Sequence, residues 1–180
     1  MSDPSLRVLI VEDDPHVRLG CQQALALEDI ETDSVGSAEE ALKKVGADFP
    51  GIVVSDIRMP GMDGLQLLEK LKALDPSLPV VLITGHGDIA MAVKAMRDGA
   101  YDFMEKPFSP EKLVDTARRA LAQRALTREV SQLRRQLAGR QALESRLIGR
   151  SPAMQALREL IANVADTSAN VLIEGETGTG

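Results

Sequence analysis

The sequence predicts an α/β fold in its first two thirds: a doubly wound parallel sheet of five strands with helices on both faces. Three observations predict it. Short, nearly continuous apolar runs recur, as expected of strands buried on both faces. Capped helical segments separate them, and they are long enough to cross back over a sheet. Polar side chains able to do chemistry fall just after the apolar runs, at the carboxyl ends of strands in such a sheet.

Each element has its own reason. Leu6–Val11 (LRVLIV) is the first apolar run, and Pro15 suits the first turn of a helix reaching about Leu27. Glu31–Val35 is a weaker second strand. Ser37-Ala38-Glu39-Glu40 reads as a capping box, with a hydroxyl and a carboxylate available to free amides at a helix start. That helix ends near Val45-Gly46. Ile52–Ser55 (IVVS) is the third strand, and Asp63–Leu74 the third helix. Pro79–Ile83 (PVVLI) is the fourth strand. A helix from about Asp88 stops at Arg97-Asp98-Gly99, where glycine suits the exit. Ala100–Met104 is the fifth strand, and Ser109-Pro110-Glu111 caps and begins another helix.

This last helix has no clear stop near Leu121. Leu126, Val130, Leu133 and Leu137 form one stripe, and the flanking Arg, Gln and Glu suit a two-helix coiled coil. A five-residue step from Leu121 to Leu126 breaks the phase. A single helix packed on its own domain is the plainer reading; a dimer-forming linker is the expectation, ended by Gly139 and Leu147-Ile148-Gly149-Arg150. Ser151-Pro152 starts a helix to about Val164, and Asn170–Glu174 (NVLIE) reads as a buried strand. Gly175-Glu176-Thr177-Gly178-Thr179-Gly180 matches the first half of a phosphate-binding loop. The Lys and Ser/Thr that would complete the loop are missing, so the chain is expected to be a piece cut inside an ATPase domain. ATP is expected only of the intact parent. The expected divisions are residues 1–122, a helical linker at 123–146, and a truncated domain at 147–180.

Composition narrows the class. An apolar fraction of 44% excludes a disordered chain. No apolar run approaches the roughly 18 residues of a membrane span, and the N-terminus lacks the pattern of a secretory signal. Cys21, the single cysteine, has no internal partner. A cytoplasmic protein without membrane contact is expected. The net charge of −6 is uneven: residues 1–110 hold 10 Lys+Arg against 19 Asp+Glu, residues 111–150 hold 10 against 4, and residues 151–180 hold 1 against 4. The basic middle could attract nucleic acid, but a solvated helix face is the favoured reading.

Chemistry gathers at the strand ends. Glu12 and Asp13 follow the first strand, Asp56 ends the third, Thr84 ends the fourth and Lys106 follows the fifth. In the flavodoxin-like order 2-1-3-4-5, strands one and three meet at the switch point, so three carboxylates converge. Like charges so placed call for a cation, and Mg²⁺ suits hard oxygen ligands. Asp56 can then attack phosphorus as a nucleophile. Mg²⁺ and Lys106 would offset charge on the phosphoryl oxygens, and Thr84 would donate to one of them. Singly, Asp56 could be a helix cap and Lys106 a surface lysine; the joint pattern favours the chemistry. His86 reads as an exposed loop residue, His16 and Cys21 as surface and packing residues, and Met59 and Met62 as loop-shaping.

Val11-Glu12-Asp13-Asp14, Asp56-Ile57-Arg58-Met59-Pro60-Gly61-Met62-Asp63-Gly64, Thr84-Gly85-His86 and Lys106-Pro107-Phe108 together resemble the signature blocks of response-regulator receivers, over about residues 6–122. The resemblance implies a sensor histidine kinase as phosphodonor and Asp56 as phosphoacceptor. It implies Mg²⁺ held by Asp13, Asp56 and the Arg58 backbone carbonyl, with Glu12, where Asp is more frequent, acting through water. Asp14 could substitute in a shifted register. It also implies a cis Lys106-Pro107 bond and a switch role for Phe103, which turns inward as Thr84 and Lys106 are drawn to the phosphoryl group. The fourth-helix surface and the pairing of two receivers would then change. With the linker, Leu147–Ser151 and Gly175–Gly180, the chain is similar to sigma-54-dependent activators of the nitrogen-regulatory (NtrC) type. Thr84–Ile89 and Gly99–Phe103 are similar to regulators of C4-dicarboxylate transport. An intact activator would add an AAA+ ATPase and a helix-turn-helix, so DNA and sigma-54 RNA polymerase are expected partners only through parts missing here. No enzyme activity beyond self-phosphotransfer and autodephosphorylation is expected. One rival is a Mg²⁺-dependent phosphohydrolase with an Asp nucleophile, which would carry a second Asp where Arg58 stands. The other is a nucleotide-binding module built on Gly175–Gly180.

Overall fold

The computed structural model describes residues 6–85, 89–147, 149, 151–165 and 172. Five strands, β1 (Arg7–Val11), β2 (Thr32–Val35), β3 (Gly51–Asp56), β4 (Val80–Thr84) and β5 (Asp102–Glu105), alternate with α1 (Pro15–Ala26), α2 (Ala38–Lys44), α3 (Gly64–Leu74), α4 (Ile89–Arg97) and α5 (Pro110–Arg146). Every pairing is parallel, in the order β2-β1-β3-β4-β5. This is the expected flavodoxin-like arrangement.

The apolar runs work because successive side chains point to opposite faces and both faces are covered. Val8, Ile10, Ile52, Val54, Val81 and Ile83 pack with Cys21 and Leu25 of α1 and with Leu113, Val114, Ala117 and Ala120 of α5. Leu9, Val11, Val53, Val80 and Leu82 pack on the other side with Leu67, Leu68 and Leu71 of α3, Ala38 and Ala41 of α2 and Ala95 of α4. Register then levels the carboxyl ends: Val11 pairs with Ser55, Asp56 with Ile83, and Thr84 with Glu105.

Caps depart from expectation in detail. Ser37 does accept from the Glu40 amide at 3.3 Å, but the Glu40 carboxylate takes the Gly36 amide at 3.2 Å instead of completing a box on Ser37. The full capping box lies on α3, between Asp63 and Gln66. Gly139 does not end α5, which runs unbroken to Arg146. Helical hydrogen bonding on both sides carries a glycine at a cost of only about 1 kcal/mol.

The broken phase has a structural cause. Leu113, Ala117, Ala120 and Arg124 share the face that α5 lays on the sheet, with Arg124 only 1% exposed. Leu126 lies roughly 200° further round the helix at about 100° per residue, and it is 64% exposed. One helix therefore uses two faces in succession. Arg124 anchors the first: Nη2 meets the Asp75 carboxylate at 2.7 Å and the Phe49 carbonyl at 2.7 Å, while Nη1 donates to Ser77 Oγ at 2.9 Å. Arg128 adds a bond to the Asp48 carbonyl at 2.8 Å.

The chain divides into two compact units between Arg128 and Glu129. The second holds the end of α5 and α6 (Pro152–Ala165). There Arg158 donates to the carbonyls of Leu147 and Gly149, and Ser151 Oγ accepts from the Met154 amide at the head of α6. Apart from Leu172, the expected strand at 170–174 lies outside the described residues, as do the Gly175–Gly180 loop and His86. Among the described residues, no helix is long and apolar enough to cross a membrane.

Candidate functional site

The β1–α1, β3–α3 and β5–α5 loops frame one acidic pocket. Glu12, Asp13 and Asp56 each place a carboxylate oxygen within 4.8 Å of the others. Glu12 and Asp56 are buried and Asp13 is exposed, so the cluster has two inner walls and an open lip. Lys106 reaches in across the sheet end, with Nζ 2.8 Å from Glu12 Oε2 and 2.5 Å from Asp56 Oδ2. The Lys106-Pro107 bond is cis.

Electrostatics follow from burial. Desolvation raises the Glu12 carboxyl above its usual value and the Asp56 charge adds to this, against the opposing hydrogen bond from Lys106. Burial works against the Lys106 ammonium, but Asp56 and Glu12 outweigh it and raise its pKa. The pocket thus holds more negative than positive charge and already draws one cation between two of its carboxylates. That geometry, with all donors oxygen, fits a hard divalent ion. Glu12, Asp13 and Asp56 are the side chains that could hold one.

Other expected residues take distinct places. The Arg58 amide donates to Asp56 Oδ1 at 3.1 Å, which ties the start of the β3–α3 loop to the Asp56 carboxylate. Thr84 is buried at the end of β4, and its hydroxyl donates to the Gly85 carbonyl at 3.3 Å. Phe103 stands away from the carboxylates on β5, 40% exposed, and lines an open apolar groove with Ala92, Val93, Met96 and Arg97. Asp14 is not a spare pocket ligand. Its carboxylate caps α1, accepting from the amides of His16 at 2.8 Å and Val17 at 3.4 Å, and these bonds hold its pKa low. An Asp directly before Pro15 is an N-cap signal, and the acidic run obscured it. Leu126, Val130, Leu133 and Leu137 are all exposed on α5.

Gly64 closes the Asp56–Gly64 block without a stated role, and Glu39 and Arg18 have no site motif to mark them. Gly64 is needed where it stands: a Cβ there would fall 2.3 Å from the Asp56 carbonyl oxygen. Glu39 accepts from the Met62 amide at 3.1 Å, tying α2 to the β3–α3 loop. Its own amide and that of Met62 hold its carboxyl below the usual range. Arg18 binds the carbonyls of Glu12 and Asp13.

Comparison with known proteins agrees with this layout. The pattern described as the response regulator receiver domain matches residues 8–118. The chain belongs to the response regulator receiver family. Behind the receiver, residues 147–180 match the sigma-54 interaction domain, so a receiver is followed by the start of that domain. The C4-dicarboxylate transport transcriptional regulatory protein DctD of Rhizobium meliloti is 52% identical over 174 residues, 96% of this chain and 37% of that protein. The DNA-binding transcriptional regulator NtrC of Escherichia coli is 36% identical over 173 residues, 96% of this chain and 36% of that protein. The chain therefore spans under two fifths of these relatives' length. Among solved structures, the response regulator StyR superposes with a TM-score of 0.72 at 36% identity, covering 87% of this chain and 77% of that one.

Proposed function

We propose that this receiver takes a phosphoryl group onto Asp56 from a sensor histidine kinase and that the modified receiver governs a sigma-54 activator. The observation that carries the reading is the buried Asp56 carboxylate, 2.5 Å from the Lys106 ammonium and clustered with Glu12 and Asp13. Asp13, Asp56 and the Arg58 backbone carbonyl would hold Mg²⁺, with Glu12 reaching it through water, and the ion would supply charge neutralisation at the phosphoryl oxygens. An Asp56 oxygen attacks phosphorus as the P–N bond to the kinase histidine breaks, and the electron pair leaves with the imidazole. Lys106 is placed to follow the new charge. Thr84 exchanges its local carbonyl bond for a phosphoryl oxygen. The group adds about −1.5 to −2 charges, and Phe103 leaves its exposed groove position as Thr84 moves.

On this reading residues 1–122 are the receiver, 123–146 a linker and 147–180 the start of the AAA+ part. Leu126, Val130, Leu133 and Leu137 form the seam of a homodimer, and phosphorylation changes the pairing. ATP, held in part by Gly175, Glu176, Thr177, Gly178, Thr179 and Gly180, with DNA and sigma-54 polymerase, belongs to the intact activator. The likeness to DctD supports C4-dicarboxylate transport genes as targets, and the cytoplasm is the compartment this calls for. The expected behaviour is that of a phosphorylated switch, with no turnover of external substrates.

Intact-mass measurement after acetyl phosphate and Mg²⁺ tests the assignment. Wild type should gain one phosphoryl group, and Asp56→Asn none. A full gain in Asp56→Asn would end the proposal. Turnover of a simple phosphomonoester, lost in Asp56→Asn, would favour the phosphohydrolase instead.

A further inference from the structure

Arg18 lies outside the pocket, at the end of the first turn of α1, half-buried. Its Nη1 lies 2.5 Å from the Glu12 carbonyl oxygen and 3.4 Å from that of Asp13. Those two carbonyls bracket Asp13. Holding both restrains the peptides on either side of Asp13, and with them the direction in which its Cα–Cβ bond points. The guanidinium is seated against the end of β2, where a Cβ added at Gly36 would come within 3.4 Å of Nη1. Across the same turn the Asp14 amide donates to Glu12 Oε1 at 3.3 Å, and the other ties act at the two ends of the loop. The Glu12 amide donates to the Val35 carbonyl at 3.2 Å, and the Asp14 carboxylate caps α1. Between them, the backbone of Asp13 is held by Arg18.

Asp13 needs such support more than its neighbours. Glu12 and Asp56 are buried and bonded to Lys106, while Asp13 is the exposed member of the cluster. A ligand on an open lip is aimed by its backbone or not at all, and small misplacements weaken a site that depends on geometry.

We propose that Arg18 is a positioning residue for the acidic pocket: it clamps the carbonyls on either side of Asp13 and aims that carboxylate at the cation shared with Asp56. The assignment rests on the metal-site reading above. It makes a prediction opposite in sign to a pure charge effect. A cationic side chain near a cation site opposes the ion, so its removal should tighten binding if charge alone mattered. Loss of the clamp should weaken it.

Calorimetric titration of the full chain with Mg²⁺ alone decides between them, alongside amide hydrogen exchange of the metal-free protein. In Arg18→Met, which keeps the aliphatic stem, the Mg²⁺ Kd should rise about tenfold, the equivalent of 1.4 kcal/mol. Exchange at Asp13 and Asp14 should quicken, while the amides of β3 stay protected. Arg18→Lys, with one donor group in place of the fork, should recover part of the affinity. Mg²⁺ binding in Arg18→Met equal to or tighter than wild type, with loop exchange unchanged, overturns the assignment. Asp13→Asn is the control: wild-type affinity in that variant overturns the metal-site reading beneath it. A metal-free melting temperature matching wild type in Arg18→Lys keeps the comparison free of misfolding.

Discussion

At the scale of single residues, Lys106 and the proposed Mg²⁺ are both drawn to the Asp56 carboxylate. The ammonium bonds to Glu12 and Asp56, so a cation seated on Asp56 is expected to loosen its hold there. Lys106→Met should therefore melt at a lower temperature in chelator and bind Mg²⁺ several-fold more tightly than wild type, as calorimetry would read. Equal affinity would mean that Lys106 does not shield the site. Cys21 offers a separate probe. Burial, with help from the Glu12 charge, pushes its thiol up to about 11, and thiolate is the reactive form. Iodoacetamide at neutral pH should leave native Cys21 almost untouched and label it readily in denaturant. Fast labelling of folded protein would show that α1 opens away from the sheet.

Single elements depend on less visible residues. Gly64 begins α3 where the helix passes the end of β3, and a Cβ at that point meets backbone, which cannot swing aside. Gly64→Ala should destabilise the receiver and slow its phosphorylation by acetyl phosphate. Asp63→Ala, which removes the capping box, should cost only about 1 kcal/mol in urea unfolding. On α5, Arg124→Met would strand the Asp75 carboxylate near Phe49 and Ser77, and breaking such a buried pair costs about 3–5 kcal/mol. Burial raises Asp75, but bonds from Ser77 and Arg124 outweigh it and lower its pKa. A carboxyl depressed in the folded state stabilises above its unfolded pKa and ceases to do so as pH falls through the folded one. The gap in stability between wild type and Asp75→Asn should therefore hold at pH 7 and close below roughly pH 4. A gap that stayed constant into acid would show that the pair adds nothing.

For the molecule as a whole, the question is what covers the outer face of α5. Leu126, Val130, Leu133 and Leu137 lie exposed along α5, and on the proposed dimer reading the flanking arginines discourage aggregation while leaving the seam available. Replacing Val130 and Leu133 together with Ser should shift sedimentation of the full chain to monomer and leave the receiver's own melting temperature nearly unchanged. A dimer that survived would place the interface elsewhere. Beryllofluoride with Mg²⁺ should alter the assembly of wild type but not of Asp56→Asn.

Much of this was readable from residue order. The strands follow from apolar runs, and the convergence of Glu12, Asp13, Asp56 and Lys106 from polar residues at strand ends, because parallel sheets put chemistry there; the order of the strands came with the flavodoxin-like resemblance. Local caps were half readable. Ser37 signalled α2, yet its expected Glu40 partner bonds to Gly36, and Asp63-Gly64-Leu65-Gln66 concealed the true box. Arg18 and Arg124 carried no signal, since an arginine on a helix looks solvated until folding supplies the carbonyls and carboxylates it meets, and Glu39 reads in sequence only as part of a helix start. Arg124 and Asp75 lie 49 positions apart, and Glu39 reaches a loop 23 residues away. Periodicity reports which face of an element is apolar, because that depends on neighbours three or four residues away. Which polar group waits on the other side depends on long-range packing, and the chain must fold before that partner exists.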